Sequence, residues 1–227
     1  MKTTSSGSKI NARMALILLP VFLLTLNSCV GISLDIKMNK DGSGTLTFEY
    51  RISRALDSFG NLDGNAMKPS IPVGREDWEK TIQRIKGVSI TSFSEKQSGQ
   101  DTIYTVNIAF NNPQALIAIL DPAGKKSKIT LDNNSGKFSM ILLDKNLTGE
   151  YDRNLIDLAH VLFNDYYFSI KFSAHGNSKL SITNGEGVET ALPVNAQVIP
   201  SGKHVSMSIG IMDLLELPDG IGVKLNW

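Results

Sequence analysis

Residues 32–52 read ISLDIKMNKDGSGTLTFEYRI, which is the clearest hairpin pattern in this 227-residue chain. Apolar and polar side chains alternate on both sides of the turn Lys40-Asp41-Gly42-Ser43-Gly44. Such alternation is typical of half-buried strands, and glycine permits the positive φ that a tight reversal needs. We therefore predict two antiparallel strands that meet at this turn.

The same turn resembles a calcium-binding loop at three ligand positions, which are occupied by Asn39, Asp41 and Ser43. The twelfth position of such a loop carries a bidentate glutamate, whereas this chain has Tyr50 there. A polar hairpin turn accounts for the same side chains without an ion. We therefore expect no metal site at this turn.

Further hairpins are predicted downstream. Alternating stretches at 88–96 and 102–110 form one pair, and those at 128–131 and 137–143 form another. Shorter strand candidates follow at 166–172, 180–182, 196–199, 205–209 and 221–227. The chain is thus rich in strands joined by short turns.

Two amphipathic helices are predicted, at 75–86 and at about 150–164, and a brief third helix at 113–120 is capped by Asn112. The apolar faces of the first two include Trp78, Ile82, Leu155 and Leu162. We predict an α+β domain in which antiparallel hairpins form a curved sheet, or two sheets, covered by these two helices.

The four residues Trp78, Ile82, Leu155 and Leu162 are candidates for the lining of an apolar pocket. In that interpretation the sheet and the helices enclose a cleft for an acyl chain. Packing of the same residues in a solid core is the alternative. A continuous internal pocket would favour a binding function, and a solid core would favour a structural one.

Residues 14–29, MALILLPVFLLTLNSC, form a largely apolar run that follows three cations. Its uninterrupted apolar part ends at Leu24 and is too short, at about 1.5 Å per helical residue, to cross a hydrocarbon core about 30 Å thick. This layout is typical of a secretory signal peptide. We predict that residues 1–28 are removed and that 29–227 form a single extracytoplasmic domain.

The end of this run, Leu26-Asn27-Ser28-Cys29, resembles a bacterial lipobox, although Asn27 departs from the strictest pattern. The resemblance implies diacylglycerol on the sulfur of Cys29 and an acyl chain on its new amino group. Two or three acyl chains hold a protein durably on a membrane, so a lipid-anchored protein of the cell membrane or the outer membrane is predicted. The alternatives are an ordinary signal peptide followed by an unmodified thiol, and a cysteine buried in the core. Only Val30 and Gly31 separate Cys29 from the first predicted strand, so the domain should lie close to the bilayer.

Charge and composition exclude some classes of function. The chain has 23 basic and 22 acidic residues, and three of the basic ones lie in the predicted signal peptide. This balance excludes a nucleic-acid footprint, and no polybasic run indicates recognition of anionic lipid by charge alone. Hydrophobic residues make up 41% of the chain, which indicates a folded domain.

No catalytic constellation is found in the sequence. The three histidines, His160, His175 and His204, lack the spacing of a metal site, and no nucleophile elbow or phosphate-binding glycine loop is present. We therefore expect no enzyme activity, no metal and no cofactor other than the lipid on Cys29.

The lipobox, the first hairpin and the C-terminal strands together resemble the LppM-type lipoprotein domain family of bacteria. The resemblance is carried by the stretch 34–45, the strand 167–172, the turn Asn184-Gly185 and the terminal Trp227. It implies an extracytoplasmic α+β domain with lipid or glycolipid as candidate ligands, and it supplies no catalytic residues.

These observations predict a membrane-anchored, non-catalytic binding module. Its candidate partners are the membrane through the anchor, a lipid or glycolipid, and an envelope protein, with no nucleic acid. The alternative is a structural or surface-exposed envelope lipoprotein with no small-molecule ligand.

Overall fold

The structure, a computed structural model, describes residues 30–53, 72, 74–132, 135–144 and 166–227. The predicted signal peptide, the lipobox with Cys29 and the predicted helix at 150–164 lie outside these residues. Leu155 and Leu162 lie outside them as well, so the pocket predicted from them stays a prediction.

The described residues form strands, three short helices and connecting turns. The strands are β1 Val30–Met38, β2 Gly44–Ser53, β3 Val88–Ser98, β4 Asp101–Phe110, β5 Ser127–Asp132, β6 Ser135–Leu143, β7 Tyr166–Ser173, β8 Lys179–Thr183, β9 Gln197–Ser201, β10 His204–Gly210 and β11 Ile221–Asn226. The helices are α1 Arg75–Ile82, α2 Pro113–Leu120 and α3 Ile211–Leu215.

The described strands are arranged in two sheets. The seven-stranded sheet has the order β3-β4-β2-β1-β7-β10-β9, and the four-stranded sheet has the order β5-β6-β11-β8. Neighbouring strands are antiparallel except β1 and β7, which are parallel. The hairpin of β1 and β2 is confirmed, and β1 is the central strand of the larger sheet.

The apolar faces of the two sheets contribute to one hydrophobic core. Alternation along β1 places Ile36 on the inner face, where it is paired with Leu46 of β2 and Phe172 of β7. The ring of Phe172 contacts that of Trp227, which follows β11, with 4.8 Å between ring centroids. This contact joins the two sheets.

The predicted α+β class is wrong, because strands make up 55% and helices only 14% of the described residues. The predicted cover of two amphipathic helices is not what the described residues show. The inner face of the larger sheet instead packs in one core with a second sheet that contributes Phe138, Val223 and Leu225. Either a helix or another sheet can bury an apolar sheet face, and alternation within a strand does not indicate which one does.

The described helices begin where local sequence signals place them. In α2, Pro113 is the first residue, and the side-chain oxygen of Asn112 accepts a hydrogen bond of 2.8 Å from the backbone N–H of Ala115. As predicted, the cap accepts a hydrogen bond from a backbone N–H in the first turn, which has no carbonyl of a preceding turn as its acceptor. The helix α3 follows β10 directly and leads back to β11 in the other sheet.

Candidate functional site

Lysine side chains collect on the outer face of the four-stranded sheet. The register of the strands forms two neighbouring rows on this face, Lys128-Ser139-Lys224-Ser181 and Thr130-Lys137-Asn226-Lys179. We call these eight residues the lysine face. They come from all four strands, so only the folded sheet brings the four ammonium groups together.

The lysines and the neutral polar residues alternate along each row. Lys128 lies opposite Ser139, and Lys137 lies opposite Thr130, so no lysine of the face is directly opposite another. Like charges directly opposite each other destabilise a sheet, because their side chains are only about 5 Å apart. The alternation thus permits a strongly positive surface at little cost to the sheet.

Two acidic residues pair with lysines at the side of the face where Thr183 lies. Lys224 Nζ donates a hydrogen bond of 2.8 Å to Glu189 Oε1, and Lys126 Nζ lies 2.8 Å from Asp144 Oδ2. The hydrogen bond from Lys224, and then its positive charge, lower the pKa of Glu189 below its usual value. Solvent-exposed pairs of this kind are weak and can be exchanged for another anion.

Three lysines of the face, Lys128, Lys137 and Lys179, form no ion pair within 4.0 Å with any residue that the structure describes. Lys128 and Lys137 project from neighbouring strands, and Lys179 projects from the far edge strand β8. Their ammonium groups therefore remain available to an external anion.

A cleft of about 290 Å³ opens beside Lys128, at one edge of the lysine face. Its lining includes Lys125, Lys126, Lys128, Ser139, Thr183 and Lys224. Ser127 also borders it, but the Oγ of this residue is buried and is not counted among the donors of the cleft. Ammonium groups and hydroxyls are the donors that hold phosphate, sulfate or carboxylate groups, so the cleft has the chemistry of an anion site.

Local backbone features shape this cleft. A β-bulge lies between Ile221 and Gly222, where a Cβ atom on Gly222 would come within 2.5 Å of Thr183 Oγ1. In the adjoining turn, the side-chain oxygen of Asn184 accepts hydrogen bonds from the backbone N–H groups of Glu186 (3.0 Å) and Val188 (2.9 Å). This turn precedes Glu189 directly and holds it beside Lys224.

The predicted pocket residues Trp78 and Ile82 lie in the hydrophobic core, at exposures of 3% and 9%. The Trp78 ring contacts Phe48 edge to face, with 5.2 Å between centroids. The two other predicted lining residues, Leu155 and Leu162, are outside the described residues. The structure therefore does not test whether the four side chains line one pocket.

The polar atoms of Tyr50 and Trp78 are buried in the same part of the core. The hydroxyl of Tyr50 donates a hydrogen bond of 2.7 Å to the backbone oxygen of Pro72, and burial raises the pKa of this hydroxyl. The indole N–H of Trp78 points toward the Tyr50 oxygen and partly opposes that shift, although it makes no well-formed hydrogen bond with a described residue. These contacts are those of a packed core.

The β1–β2 turn satisfies its own polar groups. The Asp41 carboxylate accepts hydrogen bonds from the Ser43 hydroxyl (2.6 Å) and the Ser43 backbone N–H (3.0 Å), which lower the pKa of Asp41. Gly42 has a φ of 81°, as the turn prediction required. Within the described residues, no three His, Cys, Asp or Glu side chains are grouped as a metal site would need.

The sequence interpretation missed the lysine face. Its lysines are separated by up to 96 positions along the chain, between Lys128 and Lys224, so they form no polybasic run. The one local signal was the stretch Lys125-Lys126-Ser127-Lys128. In the part of the chain that the structure covers, no helix has the length and apolar character needed to span a membrane.

Comparisons with known proteins add little to this geometry. No family model matches the chain, and no curated protein matches it. Among solved structures, it is similar to the folded domain of LppM from Mycobacterium tuberculosis, with a TM-score of 0.39, 11% sequence identity and coverage of 87% of this chain and 88% of that one. It is also similar to a chimeric titin Z1Z2, with a TM-score of 0.17 and 10% identity over 81% of this chain and 80% of that one. Overlap at this level does not establish a shared fold, so membership of the LppM-type family stays a prediction.

Proposed function

We propose that this protein is a membrane-tethered, non-catalytic module that binds an anionic ligand on the lysine face. The observation that supports this most directly is the cleft lined by Lys125, Lys126, Lys128 and Lys224, in a chain whose acidic and basic residues nearly balance. Of these four lysines, Lys125 and Lys128 form no ion pair with a described residue. The tether is the lipid predicted on Cys29.

The donor set favours a compact anion. Lysine carries a point charge on a flexible stem with three donors, and it suits phosphate, sulfate or carboxylate groups. The hydroxyls of Ser139 and Thr183 add neutral hydrogen bonds beside those charges. A lipid or glycolipid with an anionic head group fits this chemistry, and so does an acidic segment of an envelope protein.

A structural envelope lipoprotein without a ligand is the second candidate. It is favoured by the packing of Trp78 and Ile82 in the core, because a solid interior leaves no room for an enclosed acyl chain at that position.

Native mass spectrometry of the full chain, extracted from bacterial membranes, separates the two candidates. We expect an anionic species to accompany the wild-type protein and to be lost from the variant Lys125→Gln/Lys128→Gln. The matched control is Lys37→Gln/Lys171→Gln on the other sheet, which removes the same charge and should retain the species. A wild-type protein that carries no anionic species, and binds none when pyrophosphate is added, would support the structural candidate instead.

The tether has its own test. The variant Cys29→Ala should lose all incorporation of labelled palmitate, because it removes the sulfur that the lipid modifies. Continued labelling of this variant would show that the anchor has been assigned to the wrong residue.

A further inference from the structure

The first described strand begins directly after the predicted lipidation site. Val30 is the first residue of β1, and Cys29 precedes it by one peptide bond. Consecutive Cα atoms across a trans peptide are about 3.8 Å apart, so the lipid is attached within one residue of the start of β1. On the proposed tether, the membrane surface therefore lies against this end of the seven-stranded sheet.

Strand register identifies other segments at the same end. Gly31 is paired with Tyr167 of β7, and Tyr167 is paired with Gly210, the last residue of β10. The helix α3 starts at the next residue, and its Asp213 accepts a hydrogen bond of 2.6 Å from the side-chain amide of Asn195. The segment around Asn195 is thus held at the end where β1 begins.

This end of the sheet exposes apolar and aromatic side chains. Val194 is 100% exposed, Leu192 is 45% exposed, and Tyr167 of β7 is 47% exposed. Residues 190–202 contain no Asp, Glu, Lys or Arg, so no charged side chain of this stretch opposes its transfer out of water. Tyrosine, with an apolar ring and a polar hydroxyl, is enriched where a protein meets the membrane interface.

The other side of β1 differs in polarity. Register through β2 and β4 places the β3–β4 hairpin at the same end, because Ser53 and Ser98 are both paired with Asp101. Its tip carries Gln97, Ser98 and Gln100, which are exposed. Among the described residues, apolar exposure at this end is therefore concentrated on the side of β7, β10 and α3.

We infer that Leu192, Val194 and Tyr167 insert into the head-group layer of the membrane that carries the lipid anchor. This inference rests on the tether in the proposed function and extends it, because it assigns the surface of the domain that lies on the bilayer. The anchor brings this end to the membrane, and the uncharged segment makes burial of its side chains favourable. The polar hairpin on the other side of β1 remains in water or among the head groups.

Site-directed labelling of the full, lipidated chain tests this inference. Val194→Cys introduces a thiol at a fully exposed position, and acylated Cys29 does not react with a thiol label. The labelled protein, carrying an environment-sensitive fluorophore, is reconstituted into phosphatidylcholine vesicles with and without brominated acyl chains. The matched control is Lys40→Cys, an exposed position in the β1–β2 turn at the opposite end of β1.

We expect a blue-shifted emission and quenching by brominated lipid at position 194, with neither effect at position 40. Equal emission and equal quenching at the two positions, in a protein that floats with the vesicles, would overturn the inference but leave the tether intact. A chain that stays in the aqueous fraction and carries no acyl mass on Cys29 would overturn the tether, and the inference with it.

Discussion

The outer faces of the two sheets differ in how their polar groups are satisfied. On the seven-stranded sheet, Thr47 Oγ1 donates to Asn107 Oδ1 at 2.6 Å, and Asn107 Nδ2 donates to Ser92 Oγ at 2.7 Å. Lys171 lies 3.8 Å from Asp35 on the same face, where Asp35 Oδ1 is a buried acceptor without a hydrogen bond to a described residue.

The lysine face of the four-stranded sheet carries charges of one sign. Its lysines alternate with Ser, Thr and Asn instead of with acids, and three of the four have no ion pair with a described residue. Acidic and basic side chains that pair with each other are typical of an ordinary solvated surface. Ammonium groups separated by neutral hydroxyls have no such partner and can bind an external anion. Charge arrangement, and not charge content, therefore distinguishes the candidate site.

The largest expected effect comes from the core that supports both faces. Phe172→Ala should lower the free energy of unfolding by about 3 to 5 kcal/mol, because it removes a fully buried ring between the sheets. That is a large share of the roughly 5 to 15 kcal/mol that stabilises a domain. Denaturant midpoints measure the change. The control Ser169→Ala, on the outer side of the same strand, should change stability by less than about 0.5 kcal/mol, and equal midpoints for the two variants would contradict this description of the core.

The next effect compares the two outer faces directly. Titration of the full chain in zwitterionic nanodiscs with inorganic pyrophosphate should show binding that Lys125→Gln/Lys128→Gln weakens by roughly tenfold, since each lost charge is worth up to about 1 kcal/mol at an exposed site. Lys37→Gln/Lys171→Gln should leave the affinity unchanged. Equal losses in both variants would mean that pyrophosphate responds only to the net charge of the protein.

A smaller effect in the opposite direction is expected at Glu189, which accepts a hydrogen bond from the Lys224 ammonium group. Glu189→Gln should raise the affinity for pyrophosphate by roughly two- to fivefold, because the Lys224 ammonium no longer has a competing carboxylate. Glu95→Gln removes an exposed acid from β3 of the other sheet and is the control. A weaker affinity in Glu189→Gln would show that this carboxylate positions Lys224 for the ligand instead of competing with it.

The smallest effect is a dependence of binding on pH. The pKa of Glu189 in the folded protein lies below its usual value of 4.5, so the ion pair with Lys224 is complete above that pH and is lost as the pH falls through the lowered value. Sulfate stays ionised in the pH range where Glu189 is protonated. Its binding should therefore strengthen as the Glu189 carboxylate loses its charge. Calorimetric titration with sulfate measures the change, and the same strengthening in Glu189→Gln would contradict the assignment. Binding is measured instead of stability, because the lowered pKa of Asp41 also makes stability fall as the pH decreases.

Much of the local structure was predictable because its determinants lie close together in sequence. The turn at Gly42 and the cap at Asn112 each depend on a few neighbouring residues, and both were confirmed. Alternation also identified the described strands. The cover of the larger sheet was not predictable in the same way, because Phe172 meets Trp227, 55 positions away, and no local pattern encodes that contact.

The candidate site shows the same division. The stretch Lys125-Lys126-Ser127-Lys128 is visible in the sequence, but it supplies only Lys128 to the lysine face, which also needs Lys137, Lys179 and Lys224 from three other strands. A shift of one residue in the register of any strand would move its lysine to the core face. Strand pairing therefore creates the site, and the sequence interpretation had no means of predicting it.

Local sequence patterns located the described strands and turns to within a few residues and indicated which side of each strand is apolar, because these features depend on residues two to four positions apart. The sequence also carries the signal-peptide and lipobox pattern that predicts the tether. Three features are visible only in the folded chain: a second sheet shares the core with the first, lysines from four strands meet on one face, and Val194 lies at the end where β1 begins. These features depend on pairing between segments that are distant in the chain, and pairing is selected by the burial of the whole core.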